Sequence, residues 1–163
     1  MSENVKVKNL TKSFGDLLVL DDISFDVKQG EFLCIVGPTG CGKTTFLNSL
    51  TKLYDIDKGT ITLNGEAIDP KKQNIAYIFQ EYSTMEWLTV EENIGYGLRI
   101  KHVPKEESAK RVAEVMEIVG LTKYAKYYPR QLSASMLQRV VIARAFAMNP
   151  DLLLMDEPYG QMD

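Results

Sequence analysis

The sequence predicts an α/β fold in which short apolar strands alternate with helices, and three stretches carry that prediction. The apolar run Phe32 to Val36 leads into Gly37-Pro38-Thr39-Gly40-Cys41-Gly42-Lys43-Thr44, and a helical segment follows from Thr45 onward. A second apolar run, Ile75 to Phe79, ends at Gln80, and a third, Leu152-Leu153-Leu154-Met155, ends at Asp156-Glu157. Runs this short suit buried strands, and strand, loop and helix in that order are the context that the pattern G-x-x-x-x-G-K-[ST] requires.

Taken from the start, Val5-Lys6-Val7-Lys8-Asn9-Leu10 and Ile23-Ser24-Phe25-Asp26-Val27 alternate apolar with polar, the pattern of half-buried antiparallel strands. Ser13-Phe14-Gly15-Asp16 between them is a turn carrying an aromatic. Phe14 either staples that turn to the sheet or stacks on a base. Lys28-Gln29-Gly30-Glu31 turns the chain toward Phe32. In the glycine-rich loop, backbone N–H groups can turn inward on a phosphate without Cβ interference, and the helix beyond adds its unpaired N–H groups and dipole. Lys43 would hold terminal phosphates and the Thr44 hydroxyl a Mg²⁺, so this is read as a nucleoside triphosphate site.

Phe46, Leu47, Leu50 and Leu53 recur at helical spacing, and Asp55 to Gly59 is expected to end that helix. Thr60-Ile61-Thr62-Leu63, Asn64-Gly65 and Glu66-Ala67-Ile68 read as a hairpin with a two-residue turn. Gln80, at the end of its strand, is either an exposed polar residue or a contact to Mg²⁺ or water. From Glu81 to about Gly120 the spacing turns helical: Val90, Ile94 and Leu98 form one stripe, Ala109, Val112, Met116 and Val119 another, with Pro104 at a start and Gly120 at a stop. Tyr124, Tyr127, Tyr128 and Pro129 connect to Arg130-Gln131-Leu132-Ser133, and a further helix is predicted from Ala134 to Met148, closed by Asn149-Pro150. Two adjacent carboxylates after the strand Leu152 to Met155 are costly unless a positive charge lies beside them. A bound Mg²⁺ supplies one, with Asp156 orienting its shell and Glu157 acting as general base; the alternative is a plain helix cap.

Composition bounds the function. At 163 residues the chain is about one domain long. A hydrophobic fraction of 45% beside 25% charged residues is that of an ordinary globular protein, and a net charge of −3 supplies no overall basic field for nucleic acid phosphates. Met1-Ser2-Glu3-Asn4-Val5-Lys6 lacks the apolar segment of a signal peptide, and no window reaches the ~18 apolar residues of a membrane span. A membrane role is therefore expected to run through a partner. Cys34 and Cys41 do not form a disulfide or metal pattern, which fits a reducing, cytoplasmic compartment. His102 stands among Arg99, Lys101 and Lys105 and reads as a solvated loop residue.

Taken together, the motifs resemble the ATPase subunit of an ATP-binding cassette transporter over the whole chain. Phe14 stands where that family's adenine-stacking aromatic lies, which favours stacking as its role. Gly37 to Thr44, with Thr45, matches the phosphate loop, Gln80 the Q-loop glutamine, and Leu132-Ser133-Ala134-Ser135-Met136 the signature segment. Leu152 to Glu157 matches the acidic strand and Asp163 the D-loop. The resemblance implies a P-loop NTPase with a RecA-like core, an N-terminal antiparallel β subdomain and a helical subdomain inserted at about residues 81–135, all within one cassette domain over residues 1–163. It implies ATP and Mg²⁺ as ligands, Thr44, Gln80 and Asp156 around the metal, and catalysis through Glu157 and Gln80. It also implies a head-to-tail dimer in which Ser133, Ala134, Ser135 and Met136 face the ATP of a second ATPase subunit. The partners would be transmembrane permease subunits at the cytoplasmic face of the membrane, indirectly a periplasmic or extracellular solute-binding protein, and no nucleic acid.

Finer features resemble the importers for nitrate, sulfonate and taurine: Gln80-Glu81-Tyr82 with Trp87-Leu88-Thr89-Val90, Tyr128-Pro129-Arg130-Gln131-Leu132-Ser133, and Pro158-Tyr159-Gly160. Ala134 and Ser135 replace the two glycines usual in the signature, and a Cβ there would crowd the approach to the partner's γ-phosphate or demand an unfavourable φ. The family continues past the point matching Asp163 through a strand with a switch histidine and further helices, so the cassette reads as truncated at its C-terminus. Alternatives are a catalytically impaired or degenerate nucleotide-binding fragment, or a soluble cassette ATPase outside transport.

Overall fold

The computed structural model describes residues 3–157, and the chain divides into two units, Met1–Gln73 and Asn74–Asp163. Pro158-Tyr159-Gly160 and Asp163 therefore lie outside the described residues.

The first unit is built on a long hairpin, β1 (Glu3–Phe14) with β2 (Leu17–Lys28), turning at Gly15 and Asp16. β3 (Lys58–Leu63) pairs with the other edge of β1, and β4 (Glu66–Ala67) with β3, giving an antiparallel sheet in the order β2-β1-β3-β4. The sequence alternation buries Val5 and Val7 and then skips to Leu10. The skip is a β-bulge: Asn9 takes a φ of 49°, its N–H donates to Ser24 Oγ at 2.8 Å, and its amide donates to Asp22 Oδ1 at 2.6 Å. Gly59 must be glycine at this place, because a Cβ there would stand 2.4 Å from the Lys8 carbonyl oxygen. Asn64 and Gly65, both at positive φ, form the predicted two-residue turn.

Helix α1 (Lys43–Leu50) buries Phe46, whose ring lies 5.5 Å from that of Phe25 on β2. It ends earlier than its apolar spacing predicts. Thr51 caps it, and Leu53 lies beyond it, 57% exposed, instead of extending its stripe. The larger correction concerns Phe32 to Val36, which forms no strand. Its side chains stand open, Phe32 82% and Val36 87% exposed, and among the described residues no ladder includes it. Strand propensity without a paired neighbour leaves backbone groups to solvent, so an apolar run alone does not make a strand.

In the second unit, β5 (Ile75–Ile78) and β6 (Leu152–Met155) run parallel, pairing Ile75 with Leu152 through Ile78 with Met155. Helix α5 (Ala134–Ala147) covers them through Val141 and Ala145, which pack with Ala76 and Ile78. The Asn74 amide donates to the carbonyls of Met148 and Asn149, tying the end of α5 to the start of β5. The other face of α5, through Val140, Ala143 and Ala147, packs on α2 (Val90–Ile94), α3 (Tyr96–Ile100) and α4 (Lys105–Ile118). Val90, Ile94 and Leu98 are buried there, as the first predicted stripe requires; of the second, Val112 and Met116 are buried and Val119 half-buried, whereas Ala109 is exposed, lying on the outer side of α4. Pro104 stands at the N-cap of α4, and Gly120 follows it at φ 70°. Residues 81–89 precede these helices as an irregular segment, not a helix.

Helix α2 opens with a complete capping box. Thr89 Oγ1 accepts from the Glu92 N–H and Glu92 Oε2 accepts from the Thr89 N–H at 2.8 Å. That backbone N–H, with the Thr89 hydroxyl, holds the Glu92 carboxyl below its ordinary value. A carboxyl lowered by folding contributes stability that is present above its unfolded pKa and lost as pH falls through the folded value. Thr89→Ala is expected to cost about 1 kcal/mol in urea unfolding. The stability gap between the parent and Glu92→Ala should narrow as pH falls below the carboxylate range; a gap independent of pH would show that the ionised box contributes nothing.

Candidate functional site

Gly42 is the left-handed N-cap of α1 at φ 99°, and a Cβ on it would stand 3.0 Å from Val19 Cγ1 and 3.1 Å from Leu20 Cδ2. With Gly40 at φ 82°, the turn from Gly37 into the helix needs both conformational freedom and close approach to β2. Phe46 N–H donates to the Gly42 carbonyl at 2.8 Å, so α1 begins directly at Lys43, with Thr44 exposed and Thr45 half-buried in its first turn. Lys43 Nζ folds back over the loop and donates to the carbonyls of Gly37 at 2.8 Å and Pro38 at 3.0 Å. An ammonium has three protons. The arrangement thus holds a cation over a loop that opens a helix, which is a chemistry for binding phosphate. Thr39 lies exposed in the same loop, and Cys41 Sγ lies 3.9 Å from Lys43 Nζ. Cys34 and Cys41 are both free and exposed.

Phe14 ends β1 and is 44% exposed. Three residues that the sequence reading did not single out surround it. Asp57 accepts from the Ser13 N–H at 2.6 Å and from Lys12 Nζ at 3.3 Å, and those contacts, the Ser13 N–H foremost, hold its carboxyl below the ordinary value. Lys12 Nζ stands 5.1 Å from the Phe14 ring centroid, and the Tyr54 ring meets that of Phe14 edge to face at 5.3 Å. No periodicity marks these residues, because Lys12 and Asp57 are 45 positions apart.

In the second unit the parallel register of β5 and β6 brings Gln80 and the acidic pair to the same strand ends, the usual place for a site in such a sheet. Gln80 Nε2 donates to Glu157 Oε2 at 3.1 Å. Asp156 is 5% exposed; its N–H continues the ladder to the Ile78 carbonyl, and its Oδ2 accepts from the Tyr77 hydroxyl at 3.4 Å. Glu157 is exposed with a φ of 46°, which turns its side chain away from the strand's alternation. Arg144 on α5 was also missed: its Nη2 donates to the carbonyl of Ser83 at 2.8 Å and to the Ser83 hydroxyl at 3.0 Å, fastening the segment that follows Gln80. Burial lowers the pKa of that guanidinium.

Ser133 caps α5, accepting from the Met136 N–H, and its hydroxyl lies 3.1 Å from that of Ser135. Ala134 and Ser135 occupy the first turn, and neither has a positive φ. Glycine is thus not demanded by the φ of the backbone at either position, which leaves, of the two alternatives, crowding by the Cβ. His102 is exposed in the turn after α3. Among the described residues no helix is long and apolar enough to cross a membrane, and no group of three or more His, Cys, Asp and Glu side chains could hold a metal ion.

Comparison with known proteins adds family context. The family described as ABC transporter matches residues 20–160. The chain is 40% identical to the Fe(3+) ions import ATP-binding protein FbpC of Fusobacterium nucleatum, over 100% of this chain and 45% of that protein. It is 39% identical to the sulfate/thiosulfate import ATP-binding protein CysA of Nocardia farcinica, covering 98% of this chain and 49% of that protein. It is 41% identical to the spermidine/putrescine import ATP-binding protein PotA of Nitratidesulfovibrio vulgaris, covering 98% and 44%. The chain thus spans about half the length of these relatives. Among solved structures, an ATP-binding cassette captured as a dimer in a post-hydrolysis state with ADP and Pi superposes with a TM-score of 0.85 at 33% identity, covering 98% of this chain and 76% of that one.

Proposed function

The chain belongs to the ABC transporter family, and from that membership we propose that it is the ATP-binding part of an import system, coupling ATP binding and hydrolysis to movement of a solute by membrane subunits. The observation that carries this reading is the loop Gly37 to Thr44: its left-handed glycines open α1, and its lysine lies over the loop carbonyls. By the family pattern, the triphosphate would lie on the loop and Lys43, with Phe14 against the base; Asp156 would be a metal ligand and Glu157 the general base for the attacking water, with Gln80, bonded to Glu157, orienting it. Mg²⁺, when bound, neutralises phosphate charge. By the family pattern, the Thr44 hydroxyl, the Gln80 amide oxygen and the Asp156 carboxylate would be the hard oxygen donors for it.

A second subunit in head-to-tail contact would meet the segment Ser133, Ala134, Ser135 and Met136, a reading supported by the dimeric cassette to which the chain is similar. The helices within residues 81–135 would form the subdomain that faces the permease, placing the protein at the cytoplasmic side of the membrane. For the solute we favour nitrate, sulfonate or taurine on the segments 80–82, 87–90, 128–133 and 158–160; the relatives above are named for import of Fe(3+) ions, sulfate/thiosulfate and spermidine/putrescine. The test is uptake by vesicles carrying this chain with its permease subunits. ATP-dependent accumulation of one of the three favoured solutes is expected. Accumulation of Fe³⁺, sulfate or a polyamine instead would remove the solute assignment alone. ATP hydrolysis with no recoverable membrane partner would favour a cassette ATPase outside transport.

A further inference from the structure

The hairpin end that carries Phe14 adjoins the exit of the glycine loop. β1 and β2 pair Lys12 with Leu20 and Phe14 with Leu17, and Val19 and Leu20 are the side chains against which Gly42 packs. At this place the end of β1 is tied down by several bonds. The Asp57 N–H donates to the Thr11 carbonyl at 3.0 Å, and the Asp57 carboxylate takes both the Ser13 N–H and the Lys12 ammonium. The Lys12 side chain is only 13% exposed, and its Nζ stands over the Phe14 ring. Tyr54 meets that ring at an interplanar angle of 83°, yet 44% of Phe14 remains open.

An ion pair at the surface adds little stability by itself, because solvent screens it and ordering two side chains costs entropy. This pair does something different from stabilising the fold: it bonds the backbone on one side of Phe14 and covers part of its ring. A stacking residue at the end of a hairpin would otherwise have to be ordered when ligand arrives, and that ordering reduces affinity. We propose that Lys12 and Asp57 form a strap that presets the Phe14 ring as the stacking platform for the nucleotide base, with Tyr54 as its side wall. The inference rests on the reading of Phe14 as the base-stacking residue. Lys12 and Asp57 are positioning residues, acting on the base through Phe14 and having no part in holding the phosphates.

That division sets the experiment. MgATP and inorganic tripolyphosphate with Mg²⁺ are titrated against the parent, Lys12→Met, Asp57→Asn, the double variant and Phe14→Ala. Lys12→Met keeps the apolar stem and removes the ammonium; Asp57→Asn keeps the shape and removes the charge. Each single variant is expected to bind ATP about threefold to fivefold more weakly, the scale of a cation–π contact. The double variant should lose little more than either single one, because both act on the same ring. Phe14→Ala should lose about tenfold or more, as removal of a base-stacking aromatic does. Tripolyphosphate affinity should stay within about twofold in all four, since it has no base to stack. If Phe14→Ala lowers the ratio of ATP to tripolyphosphate affinity while Lys12→Met and Asp57→Asn leave it unchanged, the strap is overturned and the stacking reading stands. If both ligands weaken equally in the strap variants, the residues are merely structural and the strap is likewise overturned. A parent ratio retained in Phe14→Ala overturns the stacking role itself, and a parent chain that binds neither ligand overturns the nucleotide reading.

Discussion

Lys43→Ala is expected to lower MgATP affinity by about 100-fold or more, the cost of removing one partner of a charge-assisted, hydrogen-bonded pair. The ammonium sits on the carbonyls of Gly37 and Pro38, and two of its three protons hold the loop closed. The substitution would therefore remove both a donor for phosphate and a brace of the cradle. Titration calorimetry reads the affinity, and a thermal melt of the same sample shows whether the fold survives. An affinity within about threefold of the parent in a folded variant would sink the assignment of the loop, because in such a cradle the lysine is the side chain that reaches the β- and γ-phosphates.

Glu157→Gln is expected to leave ATP binding unchanged while slowing hydrolysis by about 100-fold to 10,000-fold, the contribution of a positioned general base. Its geometry makes it a clean substitution. The Gln80 amide that now donates to Glu157 Oε2 can donate equally to a glutamine carbonyl, and the left-handed backbone at position 157 strains either side chain alike. What changes is the capacity to take a proton. Steady-state turnover measured beside nucleotide affinity separates the two effects, since loss of rate with intact binding marks a group that acts only in the transition state. A variant turning over at more than half the parent's rate would place the base elsewhere.

The features that were readable in the chain share a physical origin: their information is local. The turn at Asn64-Gly65 follows from two residues able to take positive φ, and the stripe of α2 and α3 and most of that of α4 from side chains three or four positions apart. The glycine loop likewise has its chemistry within eight consecutive residues, and Asp156 and Glu157 follow directly on the apolar run that becomes β6. Helix α1 ends before its apolar spacing does for a related reason: Leu53 continues that spacing, but spacing does not measure where Thr51 caps the helix.

What the sequence by itself determined is thus the glycine loop with its lysine, the acidic pair and most helices and turns among the described residues. Only the tertiary structure decided which of them meet. Gln80 and Glu157 are 77 positions apart and are joined because β5 and β6 pair in parallel register. Lys12 and Asp57 meet across β1 and the approach to β3, and Arg144 reaches Ser83 only because α5 packs beside β5. The run Phe32 to Val36 shows the same rule from the other side. Its composition is that of a strand, but a strand is a relation between two segments, and among the described residues no segment pairs with it. Propensity is written one residue at a time, whereas hydrogen-bond partners are chosen by the whole fold.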